Sequence, residues 1–376
     1  MVQVKALARS LRLPRGTAAE LSTRNGREHQ VSRSNVWSIV LAGGESTRVR
    51  GFLKQLCGGN GLKQFSPIIG RRSMVQHTLD RLQQLIPAER ILVVVAAHHR
   101  DEASRQLAHW PQQNIIYQPA NRDTAPGILL PLAHITYRDP SATLVVSPSD
   151  HFVRDETSFM ESVNTALRDL KQHPNEMVLL GMTPEQGPET EYGYIEVKKQ
   201  RTARAVPVAG FVEKPPLQLA RRLIQQGALW NTMVFAVTSA ALWQMVRDTV
   251  PALYNAFGLI QAMLNSVHAP RFIEHIYETL PNINFSSDIC APMAGKLRVL
   301  PVPNVGWSDW GTVASILRSL QEIGKFDAFR LRLEECQVHP SWYAAPLAEI
   351  HPQGQVTPDP LFASLNNESE AYLSPD

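Results

Sequence analysis

From Trp37 onward, short runs of consecutive apolar residues, many of them β-branched, alternate with longer stretches in which apolar positions recur every three or four residues. The runs at 37–41, 91–97, 115–117, 143–146, 177–180, 206–212, 234–237 and 298–302 predict strands. The stretches at 74–86, 101–110, 127–137, 158–170 and 217–224 predict amphipathic helices between them. Strands separated by helices predict an α/β layered domain with a largely parallel sheet. Ligands of such sheets bind beyond the carboxyl ends of the strands, so chemistry is expected just after each run.

Composition changes this picture mainly at the ends of the chain. Hydrophobic residues make up 44% of the 376 and charged residues 19%, which excludes disorder throughout and leaves ample material for a large core. No uninterrupted apolar run reaches the length of a membrane span, so no membrane partner is expected. Lys and Arg number 37 against 34 Asp and Glu, and so small an excess gives no reason to expect a nucleic-acid partner. That excess is unevenly placed. Residues 1–35 carry Lys5, Arg9, Arg12, Arg15, Arg24, Arg27 and Arg33 against Glu20 and Glu28, whereas the tail from Ala344 carries five acidic residues and no Lys or Arg. Both ends lack apolar periodicity. The expected division is a flexible basic leader at 1–35, a folded domain at 36–323 and a largely irregular extension at 324–376. The leader lacks the apolar segment of a secretory signal and reads as solvated, with a transit peptide or an anion-binding arm as alternatives. Cys57, Cys290 and Cys336 are widely spaced, which suggests neither a disulfide framework nor a zinc site and fits a cytoplasmic location.

Several strand ends carry candidate chemistry. After the first run comes Leu41-Ala42-Gly43-Gly44-Glu45-Ser46-Thr47-Arg48, in which two glycines allow a backbone to approach phosphate and Arg48 adds a fixed positive fork. Taken alone, a Gly-Gly turn after a strand is more often just a tight turn. Lys63 follows a Gly-rich, mobile-looking stretch at 57–61 and is placed to swing onto a phosphate. The fourth run ends in Ser147-Pro148-Ser149-Asp150-His151, and Asp309 follows the last run in Gly306-Trp307-Ser308-Asp309-Trp310-Gly311. Either carboxylate suits a hard cation such as Mg²⁺, although a lone Asp is more often a cap or turn residue. His151 reads as a structural hydrogen-bonding residue. Three further clusters share this character: 118–126, 191–196 and 211–215.

Taken together and in this order, the segments resemble the sugar-1-phosphate nucleotidyltransferases, most closely the mannose-1-phosphate guanylyltransferase family. The likeness runs from Val36 to about Leu320. It rests on LAGGESTR at 41–48, KQF at 63–65, QPANRDTAP at 118–126, PSDH at 148–151, EYGYIEV at 191–197, FVEKP at 211–215, WNTMVF at 230–235 and GWSDWGT at 306–312. Eight collinear matches are specific where any one is weak. The resemblance implies a Rossmann-like three-layer α/β/α nucleotidyltransferase domain with a mostly parallel mixed sheet. It implies an enzyme that uses GTP and a hexose 1-phosphate, here mannose 1-phosphate, to make GDP-mannose and pyrophosphate, with Mg²⁺ as cofactor. The same reaction with another base or hexose, or a silent nucleotide- or sugar-binding regulator, is the alternative. Assembly into a homo-oligomer is left open.

Carried over residue by residue, the resemblance assigns the nucleotide to Leu41, Gly43, Gly44, Gln118, Asn121, Thr124 and Ala125, and the sugar to Gly193, Glu213 and Asn231. Arg48, Lys63, Asp150, Lys214 and Asp309 become catalytic, with Asp150 and Asp309 as metal ligands. Three departures stand out. Ser46 replaces a family glycine and predicts a tighter or rearranged turn, Val49-Arg50-Gly51 replaces a Leu and Trp-Pro, and Asn284 to Asp288 replaces the family's S-I-D-Y type segment. The bifunctional members' C-terminal isomerase region is not expected after Gly311.

Overall fold

Alternation within the strands decides the layers. Along β1 (Val36–Leu41), Val36 and Val40 join the core on one face of the sheet while Trp37 and Ile39 join the core on the other, so the strand is buried on both sides. The structure, a computed structural model, describes residues 35–184, 187–197 and 204–350. The leader up to residue 34 and the last part of the expected extension lie outside them. The remaining strands are β2 (Ile91–Ala96), β3 (Ile115–Gln118), β4 (Thr143–Pro148), β5 (Phe152–Val153), β6 (Met177–Met182), β7 (Tyr194–Val197), β8 (Val206–Val212), β9 (Leu229–Thr238), β10 (Leu297–Val302) and β11 (Trp307–Ser308).

Among the described residues, nine strands form one sheet in the order β3-β2-β1-β4-β9-β6-β10-β8-β7, with β7 also pairing to β9. β1 to β4 pair in parallel, as do β6 and β10, whereas β9 runs against β4 and β6 and β8 runs against β10 and β7. The expected mixed, mostly parallel sheet is therefore present, with β8 and β9 reversed. Strands β1 to β4 thus end on the same edge of the sheet, and that edge carries the candidate residues.

The described residues form the helices α1 (Arg50–Cys57), α2 (Met74–Gln83), α3 (Arg100–Gln106), α4 (Thr124–Arg138), α5 (Glu156–Leu170), α6 (Leu217–Gln225), α7 (Ser239–Thr249), α8 (Pro251–Met263), α9 (Ala269–Thr279), α10 (Val313–Glu322), α11 (Phe326–Glu335) and α12 (Ala344–Ile350). Apolar residues of α2 and α5 cover one face of the sheet, and those of α4, α7 and α8 cover the other, which completes the three layers. Ser73 and Gln76 start α2 with a reciprocal capping box. No helix among the described residues is long and apolar enough to cross a membrane.

The described part of the extension departs from expectation. Residues 324–350 are not largely irregular: α11, a 3₁₀ turn at Pro340–Trp342 and α12 close over a third core in which Phe329, Leu333, Val338 and Tyr343 pack with Phe52, Leu53, Trp310, Ile316 and Leu317. The signal was missed because the buried pair Phe329 and Leu333 is separated by Arg330 and Arg332 and followed by two glutamates, which masks a narrow apolar stripe. Gly51 belongs to the same arrangement. A Cβ there would stand 2.5 Å from the Trp342 ring, so only glycine lets the C-terminal segment lie on α1.

Candidate active site

The turn after β1 is held from beneath. Ala42 donates its N–H to Val94 O at 2.8 Å, which continues the parallel pairing with β2. The buried Gln64 then donates Nε2 to Ala42 O at 3.2 Å and to Gly44 O at 2.8 Å. A Cβ on Gly43 would stand 2.6 Å from Gln118 Nε2 and would have to displace that amide, whereas a Cβ on Gly44 would meet nothing within 4 Å and points to open space. Ser46 keeps the left-handed backbone a glycine would take, at φ 54°. Its hydroxyl accepts from the Lys63 N–H at 2.8 Å and donates to Gln64 Oε1 at 3.1 Å. Ser46 thus takes a left-handed conformation in the turn, and two hydrogen bonds offset the strain of the serine.

Asp150 and Asp309 come together, but not through neighbouring strands of the main sheet as their positions suggest. β5 and β11 form a separate two-stranded antiparallel ribbon with Ser308 opposite Phe152 and Trp307 opposite Val153, which places Asp309 beside the His151 and Asp150 end of β5. Phe152 stacks on Trp310 at 4.8 Å and locks the ribbon to the third core. The Thr312 cap of α10 fixes the chain immediately beyond.

Lys63 lies between the two carboxylate residues and is 6% exposed. Its ammonium pairs with Asp150 Oδ2 at 3.1 Å and donates to the main-chain carbonyls of Asp309 and Trp310. It is thus an anchored cation rather than a swinging one, because the 3₁₀ turn Lys63–Phe65 is itself buried. Asp309 Oδ1 accepts from the Tyr192 hydroxyl at 2.7 Å and the Gly311 N–H at 2.8 Å, while Oδ2 faces Arg48 Nη2 at 3.4 Å. Asp309 therefore closes a turn and faces two cations at once. Burial alone would raise its carboxyl, but Lys63 and the bonds from Tyr192 and Gly311 hold it below its ordinary value. The same burial and the Asp309 charge push the Tyr192 phenol up, so it stays a donor. Burial pulls His151 down to about 4 despite neighbouring Asp150, so near neutral pH it is an uncharged ring packed edge-on against Trp307.

A cavity of about 740 Å³ opens in front of the turn. Leu41, Gly43, Gly44, Gln118, Asn121, Thr124, Asp150 and Lys214 line it, together with Gln64, Asp123 and Met233. Gln118 is buried with Oε1 unpartnered. Ala125 is fully buried at the start of α4 and does not line the cavity. Gly193, Glu213 and Asn231 form a separate group. The Asn231 N–H donates to Gly193 O at 2.8 Å, and a Cβ on Gly193 would stand 2.6 Å from Glu213 Oε2, an oxygen buried without a partner. Burial pushes the Glu213 carboxyl up, with Lys214 opposing. Glu191 Oε2 lies 3.6 Å from both Arg48 Nη1 and Lys214 Nζ and spans the two groups.

Sequence reasoning singled out segments that the fold brings together around Lys63 and the cavity, but gave no role to Gln64, Glu191 and Tyr192 within them. Gln64 and Tyr192 stand beside residues chosen for a charge or a glycine, and only the fold shows that they supply hydrogen bonds while Glu191 supplies ion pairs. Backbone strain marks the same place. Of six non-glycine described residues with positive φ, Ser46, Asp123, Lys214, Met233 and Trp310 line the cavity or adjoin Lys63 and Asp309.

Residues 37–325 match the model of the family described as nucleotidyl transferase. A mannose-1-phosphate guanylyltransferase of Salmonella muenchen is 32% identical over 295 residues, covering 75% of this chain and 59% of that protein. One from Escherichia coli K12 is 28% identical over 299 residues, covering 76% and 60%. The chain spans about three-fifths of the length of these curated relatives. A crystal structure described as a mannose-1-phosphate geranyltransferase from Thermus thermophilus superposes with TM-score 0.65 and 30% identity, covering 76% of this chain and 79% of that one. A mannose-6-phosphate isomerase from Helicobacter pylori shares the fold at 19% identity and TM-score 0.58, covering 73% and 99%.

Proposed function

The chain belongs to the nucleotidyl transferase family, and on that premise we propose that it joins the nucleoside monophosphate part of a triphosphate to a sugar 1-phosphate, releasing pyrophosphate. The observation that carries the reading is Lys63, buried between Asp150 and Asp309 with Arg48 alongside, next to a glycine turn that opens on a cavity. GTP and mannose 1-phosphate are the proposed pair, supported by the names of the relatives. The unpartnered Gln118 carbonyl in the cavity wall suits a donor on a base edge.

The reaction needs little acid or base chemistry. A phosphate monoester has its second pKa at about 6, so a sugar phosphate oxygen is largely ionised near neutral pH and attacks the α-phosphorus directly, while the bond to pyrophosphate breaks. Positioning and charge neutralisation dominate. Gly43 and Gly44 present backbone to the triphosphate, Arg48 and Lys63 stabilise the departing pyrophosphate, and Lys214 orients the attacking phosphate. Glu213 Oε2, with Gly193 and Asn231 around it, accepts from sugar hydroxyls.

The donor set fits Mg²⁺ in part. Asp150 lines the cavity, and its Oδ1 has His151 Nε2 as a neighbour only at 4.0 Å, which leaves an oxygen of the kind a hard cation takes. Asp309 already has both oxygens engaged, so Asp150 is the proposed principal ligand and Asp309 the second. Bound there, Mg²⁺ would neutralise phosphate charge. The test is pyrophosphate release from four nucleoside triphosphates with several hexose 1-phosphates. The highest rate is expected with GTP and mannose 1-phosphate. Faster turnover with UTP, TTP or ATP overturns the base assignment, and no turnover with any pair overturns the enzyme.

A further inference from the structure

We propose that Glu45, His98 and His99 form a binding site for a divalent transition-metal ion of the zinc class, distinct from the Asp150 and Asp309 pair. Parallel pairing of β1 with β2, with Leu41 opposite Val94, brings the turn after β1 alongside the 3₁₀ turn Ala97–His99 that follows β2. His98 Nε2 lies 2.8 Å from Glu45 Oε1, and His99 Nε2 lies 3.6 Å from Oε2. One ligand atom from each of the three residues falls within 4.8 Å of the other two.

His99 is the second, independent observation. It is 3% exposed, and neither ring nitrogen has a hydrogen-bond partner. Its neighbours are the Phe65 edge and the His98 ring, with centroids 6.5 and 4.1 Å away. A buried imidazole whose one polar neighbour, Glu45 Oε2, stands at 3.6 Å lacks a hydrogen bond, and that costs free energy that a metal bond would recover. Two imidazole nitrogens and one carboxylate oxygen make a donor set that suits Zn²⁺ and the neighbouring late first-row ions far better than Mg²⁺. Ligand bonds of about 2.0 Å require the three atoms to close to roughly 3.3 Å of one another, a shift of about an ångström within rotamer reach. Arg50 opposes binding, because its Nη1 lies 3.4 Å from Glu45 Oε2 and competes for that oxygen. Glu45 sits in the same turn as Gly43, Gly44 and Arg48, so a bound ion ties that turn to the end of β2.

The test uses the full chain, stripped with a chelator and titrated with Zn²⁺ alone by calorimetry, with Co²⁺ absorption as a second readout of nitrogen ligation. The wild-type protein is expected to take up one ion that millimolar Mg²⁺ does not displace. His98 and Glu45 are not buried, so His98→Ala and Glu45→Gln should fold and should each weaken binding at least tenfold, whereas Arg50→Gln should tighten it. Absence of Zn²⁺ uptake by the wild type, or uptake unchanged in both weakening variants, overturns the site.

Discussion

The Lys63 cluster and the Glu213 group solve opposite electrostatic problems. Around Lys63, each charge already has a protein partner: Lys63 with Asp150, Asp309 with Arg48 and Tyr192, and Arg48 with Glu191. Beside Gly193, the Glu213 carboxylate keeps a buried oxygen with no partner, and burial pushes its carboxyl up. The first arrangement holds its groups in place before any ligand arrives. The second is incomplete until something donates to it. A buried cation among fixed acceptors is preorganised for charge that appears during reaction, whereas an orphan acceptor favours recognition of a hydroxyl already present in the ground state.

The largest expected effect is at Lys63. Lys63→Met should lower turnover at least a thousandfold, about 4 kcal/mol, and destabilise the fold by about 3 kcal/mol, because it leaves Asp150 and two carbonyls without their shared cation. Asp150→Asn and Asp309→Asn should each lower turnover by a hundredfold or more and also lower the thermal midpoint, the first because it takes the carboxylate from buried Lys63 and the second because it weakens the hydrogen bonds that Asp309 accepts. Turnover within tenfold of wild type for Lys63→Met would break the comparison. The third core tests what backs this cluster: Phe329→Ala should cost about 3 kcal/mol in urea unfolding, since Phe329 is 4% exposed and packs beside Phe52.

Acid sensitivity provides a control outside the cleft. Burial, with Arg138 adding to it, pulls His134 on α4 down to about 4. Below about 6.5 the unfolded chain binds this proton and the folded chain does not, so stability is full above that pH and falls as pH drops toward 4. At pH 5 the loss is about 2 kcal/mol, and His134→Gln should remove that share of the pH dependence in denaturation midpoints while turnover at pH 7 stays the same. The smallest effect sharpens the comparison most. Glu213→Gln should raise KM for the sugar phosphate about tenfold with a smaller change in kcat, yet stabilise the free protein by roughly 1 kcal/mol at neutral pH, since a buried unpartnered charge is removed. Destabilisation by this change would show that Glu213 is structural.

Much of the molecule was legible along the chain. The eight apolar runs all mark strands, and the run at 234–237 proved to be the second half of β9, whose first half is hidden by Asn231 and Thr232. Gly43, Gly44, Asp150 and Lys214, far apart in the chain, line one cavity. Gln64 and Tyr192 were within quoted motifs, but a neutral side chain advertises no role until its partner is known.

The sequence by itself determined the alternation of strands and helices, the strand ends that carry chemistry and the collinear segments, because these depend on neighbours a few positions apart in the chain. Tertiary structure decided the rest. The β5–β11 ribbon has two residues per strand, too few for any period to register, and it brings Asp309 to a lysine 246 positions earlier. Ser46 holds a glycine's backbone only because Lys63 and Gln64 bond its hydroxyl, Gly51 is needed only because Trp342 lies on it, and Glu45 meets two histidines only because β1 pairs with β2. Each is a contact between residues that local periodicity treats as independent, and only a closed chain brings them within bonding distance.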